Sequence, residues 1–167
     1  MAESPTIVRA GRERIDELEP LWRSLQEHHV ALAPTLGGLP ARSPQESWLL
    51  RRRKYAAALE NPGAFLLIAE RPRGSIGYAL VSLAEGPSGW DYGDRVADVE
   101  TLAVAPDARG QGVGTQLMEA VERELVRRGV RTFRVLVIAA NEDAIRFYEG
   151  RGLVPVSQVL LGRVADA

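Results

Sequence analysis

The chain has 167 residues, 46% of them hydrophobic and 26% charged, which is enough for one globular domain with a sizeable core. A net charge of −1 excludes a bulk electrostatic pull toward nucleic acid or a membrane surface. The absence of cysteine excludes disulfides, thiolate metal sites and a thiol nucleophile, and two histidines are too few for a histidine-rich centre, so no metal is expected. No apolar run approaches membrane-spanning length, and the first residues lack the basic and apolar regions of a leader. The expectation is a cytoplasmic protein with a single domain over residues 1–167, residues 1–5 being disordered.

In chain order, residues 6–9 form a short strand. A helix follows from Asp16, its apolar face made of Ile15, Leu18, Leu21, Trp22 and Leu25. His28 and His29 fall near its end. Adjacent positions diverge on a helix, so a joint metal site is not expected; either these imidazoles suit the helix C-terminus or one of them lines a pocket. Residues 31–44, rich in Pro and Gly, form a loop. A second helix carries Trp48, Tyr55 and Leu59 on one face, with the basic run 51–54 read as solvated, and stops at 61–63. Residues 64–70 and 76–83 read as a hairpin, and 96–104 as the next strand.

Residues 102–115 are the most informative stretch. Pro106 ends the strand, since it has no N–H to donate. Gly110, Gly112 and Gly114 let an anion approach the backbone. An amphipathic helix then starts, with Val113, Leu117, Met118, Val121 and Leu125 at helical spacing. Its first turn carries no carboxylate and Arg109 stands beside it, which makes a seat for a phosphate. Gly129 is its stop, 133–138 is a further strand parallel to 96–104, 141–149 is a last helix, and 153–161 closes the chain as a strand broken near Pro155.

Neither the P-loop spacing nor the dinucleotide fingerprint is present: no Lys follows Gly114, and Thr115 stands where a third glycine belongs. Arg109-x-x-Gly112-x-Gly114 instead resembles the pyrophosphate-binding motif of the GCN5-related N-acetyltransferases, the GNAT superfamily. Downstream, Asn141-x-x-Ala144-x-x-Phe147-Tyr148-x-x-x-Gly152-Leu153 resembles that family's second hallmark. The resemblance implies an α/β (α+β) fold with a mixed, mostly antiparallel central sheet of about six to seven strands flanked by about four helices.

It also implies acetyl-CoA as co-substrate. The coenzyme would be held mainly by the main chain of Leu102, Ala103 and Val104 and of Arg109, Gly110, Gln111, Gly112, Val113, Gly114 and Thr115. Asn141, a good N-cap in its own right, would also bond the pantetheine arm, and Ala144 and Phe147 would line the same face. Tyr148 would point at the thioester sulfur as general acid.

Acyl transfer to an amine needs a base to remove the ammonium proton and a donor for the oxyanion. On a strand of period two, Asp98 and Glu100 share a face with Val96, Leu102 and Val104, and acids on an apolar face are costly unless paired or used. Glu100 is the first candidate base, direct or through water, and Asp98 the second; a bulge in this strand would reassign the faces beyond it. The oxyanion donor is expected from the Leu102 or Val104 N–H.

The acids Glu85, Asp91, Asp94, Asp98 and Glu100 point to a small cationic amine as acceptor. Ribosomal-protein N-terminal acetyltransferases of the superfamily carry a Glu on the strand before the Asn helix, and residues 133–138 hold no carboxylate, which disfavours a protein N-terminus. A protein lysine or N-terminal amine stays open as an alternative, as do an acyl-CoA sensor without turnover and an interaction module. Residues 153–167 are too few for the two-strand hairpin that walls the cleft in many members, so a homodimer could complete it.

Overall fold

Strand β1 (Thr6–Ala10) leads through a 3-10 turn (Arg12–Leu18) into helix α1 (Glu19–Leu32). A small hairpin, β2 (Thr35–Leu36) and β3 (Leu39–Pro40), precedes helix α2 (Pro44–Ala58). Then come β4 (Phe65–Arg71), β5 (Gly74–Ala84), β6 (Val96–Val104), α3 (Val113–Arg127), β7 (Thr132–Val135) and α4 (Glu142–Glu149). This computed structural model describes residues 4–164; of the stretch expected to be disordered, residues 1–3 lie outside the described residues, and Pro5 is buried just before β1. No helix among the described residues is long and apolar enough to cross a membrane.

The main sheet has the order β1-β4-β5-β6-β7. All its neighbours are antiparallel except β6 and β7, which run parallel. It is the mixed, mostly antiparallel sheet with four helices that the resemblance implied, with five strands in the main sheet rather than six to seven. The hairpin β2-β3 stands apart as its own pair. Residues 153–161 form no strand: Pro155 removes a donor, and β7, only four residues long, offers little edge to pair with. The tail instead crosses to the small hairpin, where Arg163 Nη2 donates to the Gly37 carbonyl at 3.3 Å.

Helices cover both faces of the sheet, so its central strands are apolar on both sides. One face packs Phe65, Leu67, Ala79, Val81, Ala97 and Val99 against Val113, Leu117, Met118 and Val121 of α3. The other packs Leu66, Ile68, Tyr78 and Leu80 against Leu18, Trp22, Trp48 and Tyr55. α3 ends as its sequence predicts. Gly129, at φ +68°, donates to the Val126 carbonyl, and Val130 N–H reaches back to Leu125.

One irregularity positions the site. Leu80 pairs with Thr101 and Val81 with Val99, so Glu100 has no partner across β5 and forms a β-bulge. The extra residue inverts the alternation. Before it, Ala97 and Val99 face α3; after it, Leu102 and Val104 do, while Thr101 and Ala103 face α1 and α2. The single face expected for Val96, Asp98, Glu100, Leu102 and Val104 is therefore corrected. The two acids stay together opposite Ser82, and the two apolar residues go to the other side.

Candidate active site

At the N-terminus of α3 the chain passes through two left-handed glycines, Gly110 at φ +71° and Gly112 at φ +79°. Gly112 is the N-cap and no side chain caps the helix. Among the described residues, none of the amides of Gly110 through Thr115 donates to a protein acceptor; the first that does is Gln116, to the Gly112 carbonyl at 3.0 Å. With no acid in the first turn, these donors and the helix dipole present an uncompensated positive seat. The side chains beside it are tied back. Arg109 Nε donates to the Val104 carbonyl at 3.2 Å, and Gln111 bonds the Asp107 carbonyl and Arg71. A Cβ built on Gly110 or Gly112 meets nothing within 4 Å, so their role is the backbone conformation and the open approach to it.

The strand edge leading to this turn is open as well. Pairing between β6 and β7 ends at Val99 and Val135, one residue before the bulge. Ala105 N–H donates across to Ile76 on the β5 side. Alternation then aims the N–H groups of Ala103 toward β5 and those of Leu102 and Val104 toward the gap beyond β7. Two unpaired strand donors therefore precede the six unpaired turn donors.

The second sequence motif meets the first here. Asn141 is buried and caps α4, its Oδ1 accepting from Ala144 N–H at 3.2 Å. A Cβ on Gly114 would lie 3.7 Å from Phe147 and 3.8 Å from Val104. The Tyr148 ring packs edge-on against Phe147, centroids 5.1 Å apart, and desolvation alone pushes its hydroxyl up to about 12. Tyr148 thus holds its proton across the neutral range. Leu153 N–H returns to the Tyr148 carbonyl, and Gly152 turns the chain at φ +87°.

The two candidate bases separate. Arg134 grips Asp98 with both ends of its guanidinium, Nε to Oδ1 at 2.5 Å and Nη2 to Oδ2 at 3.1 Å, which takes Asp98 out of contention. Glu100 is exposed at the bulge and, among the described residues, accepts only from Ser82 Oγ, at 2.5 Å. Of the other acids expected to draw a cation, Asp91 accepts from Gly93 N–H in its own loop.

Several neighbours escaped the sequence reading. Behind Glu100, Thr101 Oγ1 donates to the Glu100 carbonyl at 2.7 Å. It must then accept from Tyr55, 2.5 Å away, and the Tyr55 oxygen is left to accept from Tyr78 at 3.0 Å. This buried relay runs from β5 through α2 to the bulge. Burial pushes the Tyr55 and Tyr78 hydroxyls up, so both stay neutral. His29 is half-buried; burial first, then the charges of His28, Arg51 and Arg109, push its imidazole down, so it is neutral at pH 7. His28 and His29 are 6.1 Å apart and tilted. On this side of the site the sequence offers one of the two histidines as lining a pocket and Tyr55 as part of a helix face, but neither Thr101 nor Arg51.

The site can be set against known proteins. The chain is 28% identical over 164 residues to a mycothiol acetyltransferase of Thermobifida fusca, covering 95% of this chain and 47% of that protein. It is 32% identical over 101 residues to a thialysine N-epsilon-acetyltransferase of Sus scrofa, covering 56% of this chain and 57% of that one. The chain thus spans about half the length of these curated relatives. Its fold is similar to that of an aminoglycoside N-acetyltransferase, AAC(6')-Iy, solved in complex with CoA. The TM-score is 0.69 at 19% identity, covering 99% of this chain and 98% of that one. The family model for the Acetyltransferase (GNAT) family matches residues 22–153. That match contains the glycine turn, the bulged strand and the Asn141 helix, and the chain belongs to the GNAT acetyltransferase family.

Proposed function

We propose that the protein is an N-acetyltransferase that moves acetyl from acetyl-CoA to the primary amine of a small molecule by direct attack, without a covalent enzyme intermediate. The observation that carries this is the run of unpaired amides at 110–115, with Phe147 packed beside Gly114, and the open β6 edge that leads to it from the bulge at Glu100. The donors fit a diphosphate followed by an amide-bearing arm: anionic oxygens take the turn amides, and Leu102 and Val104 N–H groups serve a strand-like partner. Arg109, Gly110, Gln111, Gly112, Val113, Gly114 and Thr115 would hold the diphosphate, and Leu102, Ala103, Val104, Asn141, Ala144 and Phe147 the arm.

When bound, acetyl-CoA supplies the acyl group as a reactive thioester. Glu100 takes the proton that an acceptor ammonium must lose, its carboxylate held in place by Ser82. Either the Leu102 or the Val104 amide is the fixed donor where negative charge develops, the other bonding the arm. Tyr148 holds a proton to release to a departing thiolate, and its apolar surroundings keep it protonated.

A thiol-release assay with acetyl-CoA across a panel of amines tests the reading. Release with at least one small primary amine is expected. CoA binding with no release on any amine would leave an acyl-CoA sensor, and absence of CoA binding would leave an interaction module. A small acceptor is favoured over a protein N-terminus because residues 133–138 carry no carboxylate. The tail leaves Val154, Val156, Val159 and Leu160 exposed, which supports a homodimer in which a second copy covers this side.

A further inference from the structure

Helices α1 and α2 close over the bulged end of β6, and a cation stands there without a carboxylate. The Arg51 guanidinium lies 4.0 Å above the Trp22 ring and 5.6 Å from the Tyr55 ring centroid. Both rings are fixed from behind. Trp22 Nε1 donates to Ser47 Oγ at 3.1 Å, and the Tyr55 hydroxyl is locked in its relay with Thr101 and Tyr78. Neighbouring Arg52 is paired with Asp16, but among the described residues Arg51 has no ion pair and no hydrogen bond.

Stacking uses the face of a guanidinium and leaves its in-plane N–H fork free. That fork matches a carboxylate in two parallel hydrogen bonds. The contacts also tie it to the chemistry: Arg51 touches Tyr55, Tyr55 bonds Thr101, and Thr101 bonds the Glu100 carbonyl. Arg51 and the Glu100 residue, whose carboxylate is exposed and bonded by Ser82, therefore stand at the two ends of one hydroxyl relay. His29, held neutral beside Arg51 and Arg109, adds no negative charge to satisfy either arginine.

We propose that Arg51 is the anion-binding group of the acceptor site and that the acceptor is a zwitterion, an amine-bearing carboxylic acid. Its ammonium meets Glu100 and its carboxylate takes the Arg51 fork. The proposal rests on the acetyltransferase reading for the reaction, but not for binding. It narrows the small cationic amine expected from the acidic residues to one that also carries a carboxylate, since Asp98 is already paired with Arg134.

The test uses matched pairs that differ only by the carboxylate: lysine and cadaverine, ornithine and putrescine, γ-aminobutyrate and propylamine. Each is titrated calorimetrically into the CoA-loaded protein and assayed in parallel for thiol release with acetyl-CoA. At least one carboxylate member should bind about tenfold or more tightly than its partner, the worth of one charge-assisted contact. Arg51→Gln should weaken that member about 10- to 100-fold and draw the pair's ratio toward one, with Arg51→Lys recovering part. Near-UV circular dichroism checks that the Trp22 packing survives; if Arg51→Gln is unfolded, Arg51→Lys and the parent's ratios decide.

The anion site is overturned if no carboxylate amine binds, if the decarboxylated partners bind as tightly, or if Arg51→Gln keeps the ratio. Thiol release on amines without carboxylate preference removes the anion site and leaves the acetyltransferase. Carboxylate preference in binding without thiol release on any amine does the reverse.

Discussion

Replacing Gly112 by alanine separates backbone conformation from side-chain sterics at the diphosphate seat. Gly112 sits at φ +79°, ψ 3°, and an added Cβ meets no atom within 4 Å, so nothing clashes. The cost is the left-handed conformation itself, about 1–2 kcal/mol for a residue with a Cβ. The chain escapes that cost by rotating the peptide, which swings the Gly112 and Val113 amides away from their common target. Two lost charge-assisted hydrogen bonds, each about 1.5–3 kcal/mol, amount to roughly 3–6 kcal/mol. At about 1.4 kcal/mol per decade, the Kd for CoA should rise about 10²- to 10⁴-fold. Titration calorimetry with CoA and with pantetheine, which has no diphosphate, reads this directly: the loss should be confined to CoA. Thermal melting adds a contrast, since Gly114→Ala adds a helix former with ordinary contacts at 3.7 Å and should raise stability where Gly112→Ala lowers it. A Gly112→Ala protein that binds CoA as tightly as the parent, or loses pantetheine equally, refutes the amide seat.

Glu100→Gln should lower kcat/KM about 10²- to 10⁴-fold while CoA affinity holds; a kcat/KM unchanged from the parent removes Glu100 as base. Tyr148→Phe should slow turnover more for acyl thioesters with poor leaving thiols than for those with good ones. Because the Tyr148 hydroxyl is raised to about 12, its neutral form stabilises the fold fully below the ordinary value of about 10; that contribution is lost as pH rises through 12. No alkaline loss of activity below about pH 10 should trace to it, which the Tyr148→Phe profile checks. Burial opposes ionisation of Glu124, but Arg128, Arg127 and Arg9 outweigh it and hold the carboxyl below its ordinary value. Its stabilisation is therefore present above about pH 4.3 and fades as pH falls through the lowered value. Glu124→Gln should cost about 1–3 kcal/mol in denaturant melts at pH 7 and much less at pH 3.

Helix α3 and its entry turn were legible because each signal there is local: glycines where φ is positive, an apolar stripe of period 3.6, and Gly129 at the stop. The hairpin β4-β5 and strand β6 were legible to within two residues for the same reason. The tail was not. Val154, Val156 and Val159 read as strand by composition, but a strand needs an edge, and β7 ends at Val135. Glu124 was also missed. Its position on an apolar helix face gives no sign that Arg128, bonded onward to the Gly63 carbonyl, comes to meet it. Arg51 read as one of a basic run, because a solvated arginine and one stacked on Trp22 have the same neighbours in sequence.

The bulge at Glu100 joins these strands of reasoning into one device. A residue inserted opposite Leu80 and Val81 lifts one carboxylate out of the ladder and exposes it, while the residue's carbonyl, freed from β5, is recovered by Thr101 and the tyrosine relay behind it. The same insertion ends the pairing with β7 at Val99, which leaves the Leu102 and Val104 amides open. The proposed base and donors are thus set by one local geometry, so they cannot be moved independently. Shortening β6 by Glu100 should make the Val81–Val99 and Leu80–Thr101 pairs consecutive rungs of a regular ladder, so Leu102 and Val104 keep facing α3. The apolar contacts of both with α3 would be kept, while the exposed carboxylate and the break in the ladder are lost. A deletion variant that melts like the parent yet loses turnover would trace the site to the bulge and not to the packing around it.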